Sequence, residues 1–185
     1  MREKGVSAVP ISTAEPELPS ANTAPSAGPP ELTRFVREVV LPGGSDTIPR
    51  LDPARCRFQL EFRPSLIHRW GLFACSAIPA RRRVIEYTGQ RIDAREVYRR
   101  RFRQHLYIFW LTDHWALDGA FGGSGAEFIN HRCDPNLYAC VGRGHIFLTS
   151  LRRIEPGEEL TLDYHTADDY PSPCTCRSPN CRGYF

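Results

Sequence analysis

Asn130-His131-Arg132-Cys133-Asp134-Pro135-Asn136 is a polar turn wedged between two apolar runs, Phe128-Ile129 before it and Leu137-Tyr138-Ala139-Cys140 after it. Asn, Asp and Pro suit tight turns because they tolerate or pre-set the required backbone angles. A cysteine in such a turn is free to swing toward a metal. On its own the heptad is only a turn, since most His and Asn residues in turns are structural. Its meaning comes from what lies on either side.

Downstream, Cys174-Thr-Cys176-Arg-Ser-Pro-Asn-Cys181 reads C-x-C-x4-C among Pro171, Pro173 and Pro179. Thiolates in a turn-rich segment can converge on one ion, and tetrahedral zinc takes four ligands. The trio leaves one place, and Cys133 is the candidate for it, with free thiols as the alternative. Cys56 and Cys140 read as ordinary buried or surface thiols. The chain holds seven cysteines. The start, MREKGVSAVP, has no apolar run behind its charges, so no secretory signal is visible. Clustered cysteines without an export signal argue for metal over disulfides, and for a reducing, intracellular setting. Nothing approaches the roughly 20 apolar residues of a membrane span.

Upstream, Arg57 to Phe62 alternates with period two, as a half-buried strand does. Short apolar runs follow at Gly71–Ala74, Val84–Tyr87, Leu106–Leu111 and His145–Leu148. One helix is expected over Asp93 to His105, with Asp93 as N-cap and Val97, Tyr98 and Phe102 as its apolar positions. Many short strands with little helix predict a mostly β domain. Residues 1–30 hold six prolines and no aromatic residue. Such a segment cannot bury enough apolar surface to offset its ordering entropy, and disorder is expected there. Leu32, Phe35, Val36, Val39 and Val40 recur at helical spacing, giving a short helix at 31–40 within a linker region, 1–52.

The formal charge of the 185-residue chain is only +3, which does not itself predict a nucleic-acid partner. Among its 24 basic residues, Lys4 is the one lysine. The runs Arg81-Arg82-Arg83 and Arg99-Arg100-Arg101 with Arg103 read as a solvated face, with contact to phosphates or an acidic surface as the alternative.

Taken together, residues from about 57 to 185 resemble the SET-domain protein lysine methyltransferases with their zinc-binding post-SET module. Five segments carry the likeness in order: Trp70-Gly71-Leu72-Phe73-Ala74, Val84-Ile85-Glu86-Tyr87-Thr88-Gly89, Phe128 to Asn136, Gly157-Glu158-Glu159-Leu160-Thr161-Leu162-Asp163-Tyr164, and the cysteine tail. The resemblance implies several small β-sheets, with a C-terminal segment passing under a preceding loop as a pseudoknot. It divides the chain into a SET catalytic domain at 53–165 and a post-SET zinc module at 166–185. It also implies methyl transfer from S-adenosylmethionine to a lysine ε-amine of a histone or another protein. Tyr164 then takes the catalytic position, and Tyr107 helps orient the amine. Trp70, Gly71, Leu72, Phe73, Asn130, His131 and Tyr184 fall on cofactor-binding positions, with Phe185 as an alternative to Tyr184. Tyr87 and Leu162 line the substrate channel, and Cys133, Cys174, Cys176 and Cys181 hold zinc.

Three positions depart from the family's pattern. Leu162 replaces an aromatic and offers no hydroxyl to restrain the amine, so di- or trimethylation is permitted. Arg132 replaces a serine, and Gln90 replaces a glutamate. The partner expected is a lysine-bearing protein, with nucleic acid allowed but not required, the enzyme monomeric and off any membrane. Its setting would be cytoplasm or chromatin. The competing reading is a non-catalytic, zinc-stabilised module that binds protein or nucleic acid.

Overall fold

Strands this short, punctuated by Gly, Pro and Asp, cannot build one broad sheet, and they build four small ones. The computed structural model describes residues 49–101, 107–164 and 172–185. The strands are β1 (Leu60–Pro64), β2 (Trp70–Ala74), β3 (Arg83–Tyr87), β4 (Gln90–Asp93), β5 (Ile108–Trp110), β6 (Trp115–Asp118), β7 (Asn130–His131), β8 (Leu137–Gly142), β9 (His145–Ser150) and β10 (Thr161–Leu162). One helix, α1 (Ala94–Arg100), and two 3-10 turns, Pro53–Arg55 and Ala126–Phe128, complete the described elements. The sheets are β1-β2, β3-β9-β8, β4-β6-β5 and β7-β10. The first three are antiparallel, and β7 runs parallel to β10. The fold is thus mostly β, as the strand spacing predicts. The expected helix at 31–40 lies outside the described residues, and no described helix is long and apolar enough to cross a membrane.

The core is where the inward faces of these sheets meet. Leu72, Ile78, Ile85, Ile129, Leu137, Ile146, Leu148, Ile154 and Leu160 are each under 2% exposed. Fully burying such a side chain is worth about 1.5–3 kcal/mol. Leu72 and Leu160 also share a backbone bond, with the Leu160 N–H donating to the Leu72 carbonyl at 2.7 Å. That bond pins the C-terminal segment to β2.

Two expectations need correction. The period-two run from Arg57 does not form one strand, because the Arg57 N–H donates to the Val84 carbonyl and Cys56 bridges to Ile85. Its beginning edges β3, and β1 starts only at Leu60. In α1, the Asp93 carboxylate caps the Glu96 N–H at 2.8 Å as predicted. Its inward residue is Arg100, however, while Tyr98 is 58% exposed. Arg100 is drawn inside by Asp118 (2.7 Å), Glu96 (2.5 Å) and Gln90 (2.9 Å), which complete its hydrogen bonding there. One member of the arginine run is therefore not part of a solvated face. Phe102 lies outside the described residues.

Candidate functional site

Parallel strands need a long crossover between them, and the β8-β9 hairpin supplies it. Thr161 faces Asn130 and Leu162 faces His131, so the Asn130–Asn136 turn lies against the segment from Glu158 to Tyr164. Asn136 clamps the two. Its Nδ2 donates to the Glu159 carbonyl (2.8 Å) and to Glu158 Oε1 (3.1 Å), and its Oδ1 accepts from the Thr161 N–H (2.8 Å). Only 2% of Asn136 is exposed.

A second clamp centres on Glu159. Its carboxylate accepts from the Ser65 hydroxyl (2.8 and 3.0 Å) and from Asn130 Nδ2 (2.8 Å). Asn130 Nδ2 also donates to the carbonyls of Trp70 (2.9 Å) and His68 (3.3 Å). Gly71 is required by this arrangement, since a Cβ there would fall 2.3 Å from Glu159 Oε1. The glycine admits a carboxylate of the protein itself. The amide hydrogens of Asn130 are thereby committed internally, which leaves its amide oxygen as the side-chain atom to offer a ligand.

Beside these clamps stands a group of tyrosines. The Tyr164 hydroxyl donates to the Ile129 carbonyl at 2.5 Å, and the Tyr87 hydroxyl to the Tyr107 carbonyl at 2.6 Å. Burial pushes the Tyr164 hydroxyl far above its ordinary value, and Tyr107 adds to the effect. Burial does the same to Tyr87, helped by Glu127, Tyr164 and Asp118. These hydroxyls stay protonated at neutral pH and act as donors, not bases. Aromatic edges continue the wall, with the Tyr107 and Phe128 rings 5.6 Å apart and Phe128 set 5.5 Å from Phe62.

The cysteines converge on the other side. Cys133 Sγ lies 3.7 Å from Cys174 Sγ and 4.0 Å from Cys181 Sγ. The ligand atoms of His131, Cys133, Cys174 and Cys176 lie within 4.8 Å of one another. Zinc with four thiolates at about 2.3 Å requires sulfurs about 3.8 Å apart, so these residues fit it. Five donors compete for four places, and hydrogen bonding decides among them. His131 Nδ1 accepts from the Tyr164 N–H at 3.0 Å, which puts the ring proton on Nε2, 3.3 Å from Cys133 Sγ. His131 is then a donor to a thiolate, the usual part of a residue just outside a metal's ligand shell. That arrangement suits the four cysteines to a metal better than it suits His131. Backbone N–H groups of Arg182 and Gly183 donate to Cys133 and Cys181 sulfurs at 3.4 Å each, as suits thiolates. Burial raises Cys133 and Cys174, whereas at Cys176 backbone bonds from Cys133 and Ser178 and the adjoining thiols outweigh it, so Cys176 is the thiol of this cluster that ionises most readily.

The folded tail carries Phe185 onto the site. Its ring stacks on His131 at 4.6 Å and meets Tyr164 edge-on at 5.7 Å. Tyr184, the residue expected to cover a cofactor, is instead 58% exposed. In an extended segment neighbouring side chains point opposite ways, so only one of the two can face inward. Leu72 also departs from expectation: it is fully buried in the core and has no surface to offer a ligand. Tyr87 and Leu162 are buried at 6% and 8% exposure, and Trp70, Phe73, Tyr107 and Tyr164 are half-buried. Sequence reasoning did not single out Asn136, Glu159 or Ser65. The first two stood inside quoted motifs, while nothing local marked Ser65, whose partner is 94 positions away.

Comparison with known proteins bears on the whole arrangement. A family model described as SET domain matches residues 69–165. The chain is 38% identical over 138 residues to the "Histone-lysine N-methyltransferase, H3 lysine-4 specific" of Saccharomyces cerevisiae, covering 67% of this chain and 13% of that protein. It is 40% identical over 150 residues to the "Histone-lysine N-methyltransferase set1" of Dictyostelium discoideum, covering 75% and 10%. It is 42% identical over 131 residues to the "Histone-lysine N-methyltransferase trithorax" of Drosophila melanogaster, covering 65% and 4%. This chain therefore spans 13% or less of each of these relatives. The "crystal structure of KRYPTONITE in complex with mCHG DNA and SAH" is similar over 70% of this chain and 29% of that one, with a TM-score of 0.62 and 32% identity.

Proposed function

The chain belongs to the SET-domain family, and from that membership we propose that it is a protein-lysine N-methyltransferase acting on histones at chromatin. The observation that carries the proposal is the Tyr164 hydroxyl, bonded to Ile129 within reach of Tyr107 and roofed by a cysteine-bound tail. S-adenosylmethionine, when bound, supplies a methyl group on a positively charged sulfur. The aromatic faces of Phe185 and Tyr164, the amide oxygen of Asn130 and the His68–Trp70 backbone suit such a cation joined to a nucleoside and an amino acid. Zinc would be held by Cys133, Cys174, Cys176 and Cys181 and would be structural.

A lysine amine, with an ordinary pKa near 10.4, must lose a proton to attack at pH 7, a cost of about 4–5 kcal/mol. The apolar surround of Tyr87, Phe109 and Leu162 lowers that cost by disfavouring the ammonium. Tyr164 and Tyr107 then orient the amine in line with the methyl group, and alignment is the larger part of such a displacement. Leu162 leaves an added methyl unopposed, which supports di- or trimethylation. Residues 53–165 form the catalytic unit in this proposal, with 166–185 as the zinc module.

The test is transfer of labelled methyl from S-adenosylmethionine to a histone panel, starting with H3 peptides because the yeast relative is named for lysine 4 of H3. Tyr164→Phe should lower the rate about 100-fold, the order expected for removing one preorganised donor, while cofactor affinity holds. If the zinc-loaded protein binds no cofactor by calorimetry, the non-catalytic module becomes the better reading. Mass spectrometry showing only monomethyl product with excess cofactor would remove the part assigned to Leu162.

A further inference from the structure

Arg100, the last residue of α1, alone among that helix's side chains is buried, and the chemistry above gives it no part. Its guanidinium donates to Asp118 Oδ2 at 2.7 Å, in a pair where 9% of the arginine side chain and 1% of the aspartate side chain are exposed. Gln90 and Glu96 accept from the same guanidinium, which also lies 5.0 Å from the centre of the Phe121 ring. A buried ion pair is not needed for stability, since well-packed apolar residues of similar volume often serve as well or better. What the guanidinium adds is direction, because its planar fork holds a carboxylate in one geometry.

Asp118 closes β6 and opens the glycine loop 119–125. Its Oδ1 accepts from the Ala120 N–H at 3.0 Å, and its carbonyl accepts from the Phe121 N–H at 3.2 Å, which folds 118–121 into a tight turn. The turn has no slack on its flanks. A Cβ at Gly89 would fall 2.5 Å from the Asp118 carbonyl oxygen. One at Gly119 would fall 2.8 Å from both Glu127 Cβ and the Tyr87 hydroxyl oxygen. Arg100 grips this turn at both ends, by the Asp118 carboxylate and by the Phe121 ring. From the turn, the Gly119 N–H donates to the Tyr107 carbonyl at 2.7 Å, and the Tyr87 hydroxyl donates to the same oxygen at 2.6 Å. Both lone pairs of that carbonyl are thus engaged. An unbroken chain of short bonds runs from α1 through Asp118 and Gly119 to the main chain of Tyr107.

We propose that Arg100 is a positioning residue for Tyr107: through the Asp118 turn, it fixes the place from which Tyr107 orients the substrate amine. The proposal rests on the lysine-methyltransferase reading and on the part Tyr107 takes in it. Arg100 touches neither substrate nor cofactor and acts only by where it holds the turn. Misplacing a reacting group by about 1 Å costs on the order of 100-fold in rate, so a smaller displacement is still measurable.

The experiment uses the zinc-loaded full chain, labelled with fluorotyrosine so that fluorine NMR reports Tyr107, its resonance assigned with Tyr107→Phe. Arg100→Lys keeps the charge and loses the fork. The pair Arg100→Met with Asp118→Asn removes the ion pair without stranding a buried charge, and it covers the case in which the lysine variant fails to fold. Arg99→Met, exposed on the same helix, is the control. S-adenosylhomocysteine affinity is read by calorimetry, and kcat and KM are measured on an H3 peptide. In both Arg100 variants the Tyr107 resonance should shift or broaden and kcat should fall about 10-fold, with cofactor affinity held within about 2-fold and peptide KM changed less than kcat. Arg99→Met should match wild type throughout. An unmoved Tyr107 resonance, an intact kcat, or a parallel fall in cofactor affinity would each overturn the proposal. So would an equal response in Arg99→Met. A wild type that transfers no methyl, while its Tyr107 resonance still answers to Arg100→Lys, would sink the enzymatic reading and leave the hold of Arg100 on Tyr107 standing.

Discussion

The Asn136 clamp and the cysteine tail close the same site from two sides, and they are held by different means. At the clamp, a nearly inaccessible amide makes three bonds into the 158–161 segment, and Glu159 gathers Ser65 and Asn130. Every one of those partners belongs to the folded core. In the described tail, residues 172–185, the backbone bonds run mostly within the tail itself, between Ser172 and Phe185 and between Cys174 and Gly183. Its ties to the core are the sulfur cluster at Cys133, the Arg182–Asp163 pair, a Thr175–Ile67 bond and the Phe185 ring. Only Cys176 and Ser178 are buried there. The clamp is thus tied to the core by its own hydrogen bonds, whereas the tail meets the core chiefly at a sulfur cluster suited to an ion.

The strongest way to break this contrast is at Asn136. Asn136→Ala strands the Thr161 N–H and the Glu159 carbonyl in a dry interior, and should cost about 3–5 kcal/mol. Urea unfolding of the zinc-loaded protein measures it. A loss under 1 kcal/mol would mean the clamp is redundant.

Chelation attacks the other side. Stripping zinc should lower global stability by less than about 2 kcal/mol, because the tail buries little apolar surface. Locally the effect is large. Amides of 172–185 should lose hydrogen-exchange protection while those of 130–136 keep theirs, and cofactor affinity should fall at least about 10-fold as Phe185 leaves His131 and Tyr164. Joint loss of protection in both regions would refute the division.

The same contrast explains what the sequence made legible. The heptad at Asn130–Asn136 and the cysteine spacing are compact local patterns with few alternative uses, so the fold class and the convergence of the cysteines could be read from them. Strand runs such as Val84–Tyr87 and His145–Leu148 also show their period directly. Ser65 reaching Glu159, or Arg100 turning inward to Asp118, cannot be read this way. Each depends on a partner distant in sequence, and an arginine on a short polar helix looks solvated until its carboxylate is placed. Tyr184 and Phe185 were ambiguous for another reason. Their alternation is plain, but which one faces in depends on the Ser172–Phe185 bonds that fix the register.

Glu127 offers a smaller test on the core side. Its folded-state pKa, about 7, lies above the ordinary carboxyl value of 4.5. The protonated form is therefore favoured by folding. That stability is fully present below about pH 4.5 and is lost as pH rises through 7. Glu127→Gln should be more stable than wild type at pH 8 by about 1–2 kcal/mol, after discounting for partial solvent access. At pH 4 the two should agree. Because Glu127 belongs to the core, the difference at pH 8 must survive chelation. Its disappearance without zinc would tie the glycine loop to the tail.

The finest comparison uses two arginines in the left-handed backbone region, Arg143 at φ 51° and Arg177 at φ 55°. Arg143 and Gly144 form the two-residue loop of the β8-β9 hairpin, where Gly142 pairs with His145. Both loop residues have positive φ, the primed-turn geometry for which Asn-Gly is the favoured pair. Arg177 sits between Cys176 and Cys181. A long side chain resists this conformation and asparagine tolerates it better, so each Arg→Asn change should relieve about 0.5–1 kcal/mol. The relief should appear in different observables. Arg143→Asn should raise the melting temperature equally with and without zinc, because the hairpin belongs to the core. Arg177→Asn should tighten zinc binding a few-fold and leave the melting of the chelated protein unchanged, because without the ion that turn has nothing to be strained against. If Arg177→Asn stabilised the chelated protein as much as Arg143→Asn does, the tail would be ordered by the polypeptide after all.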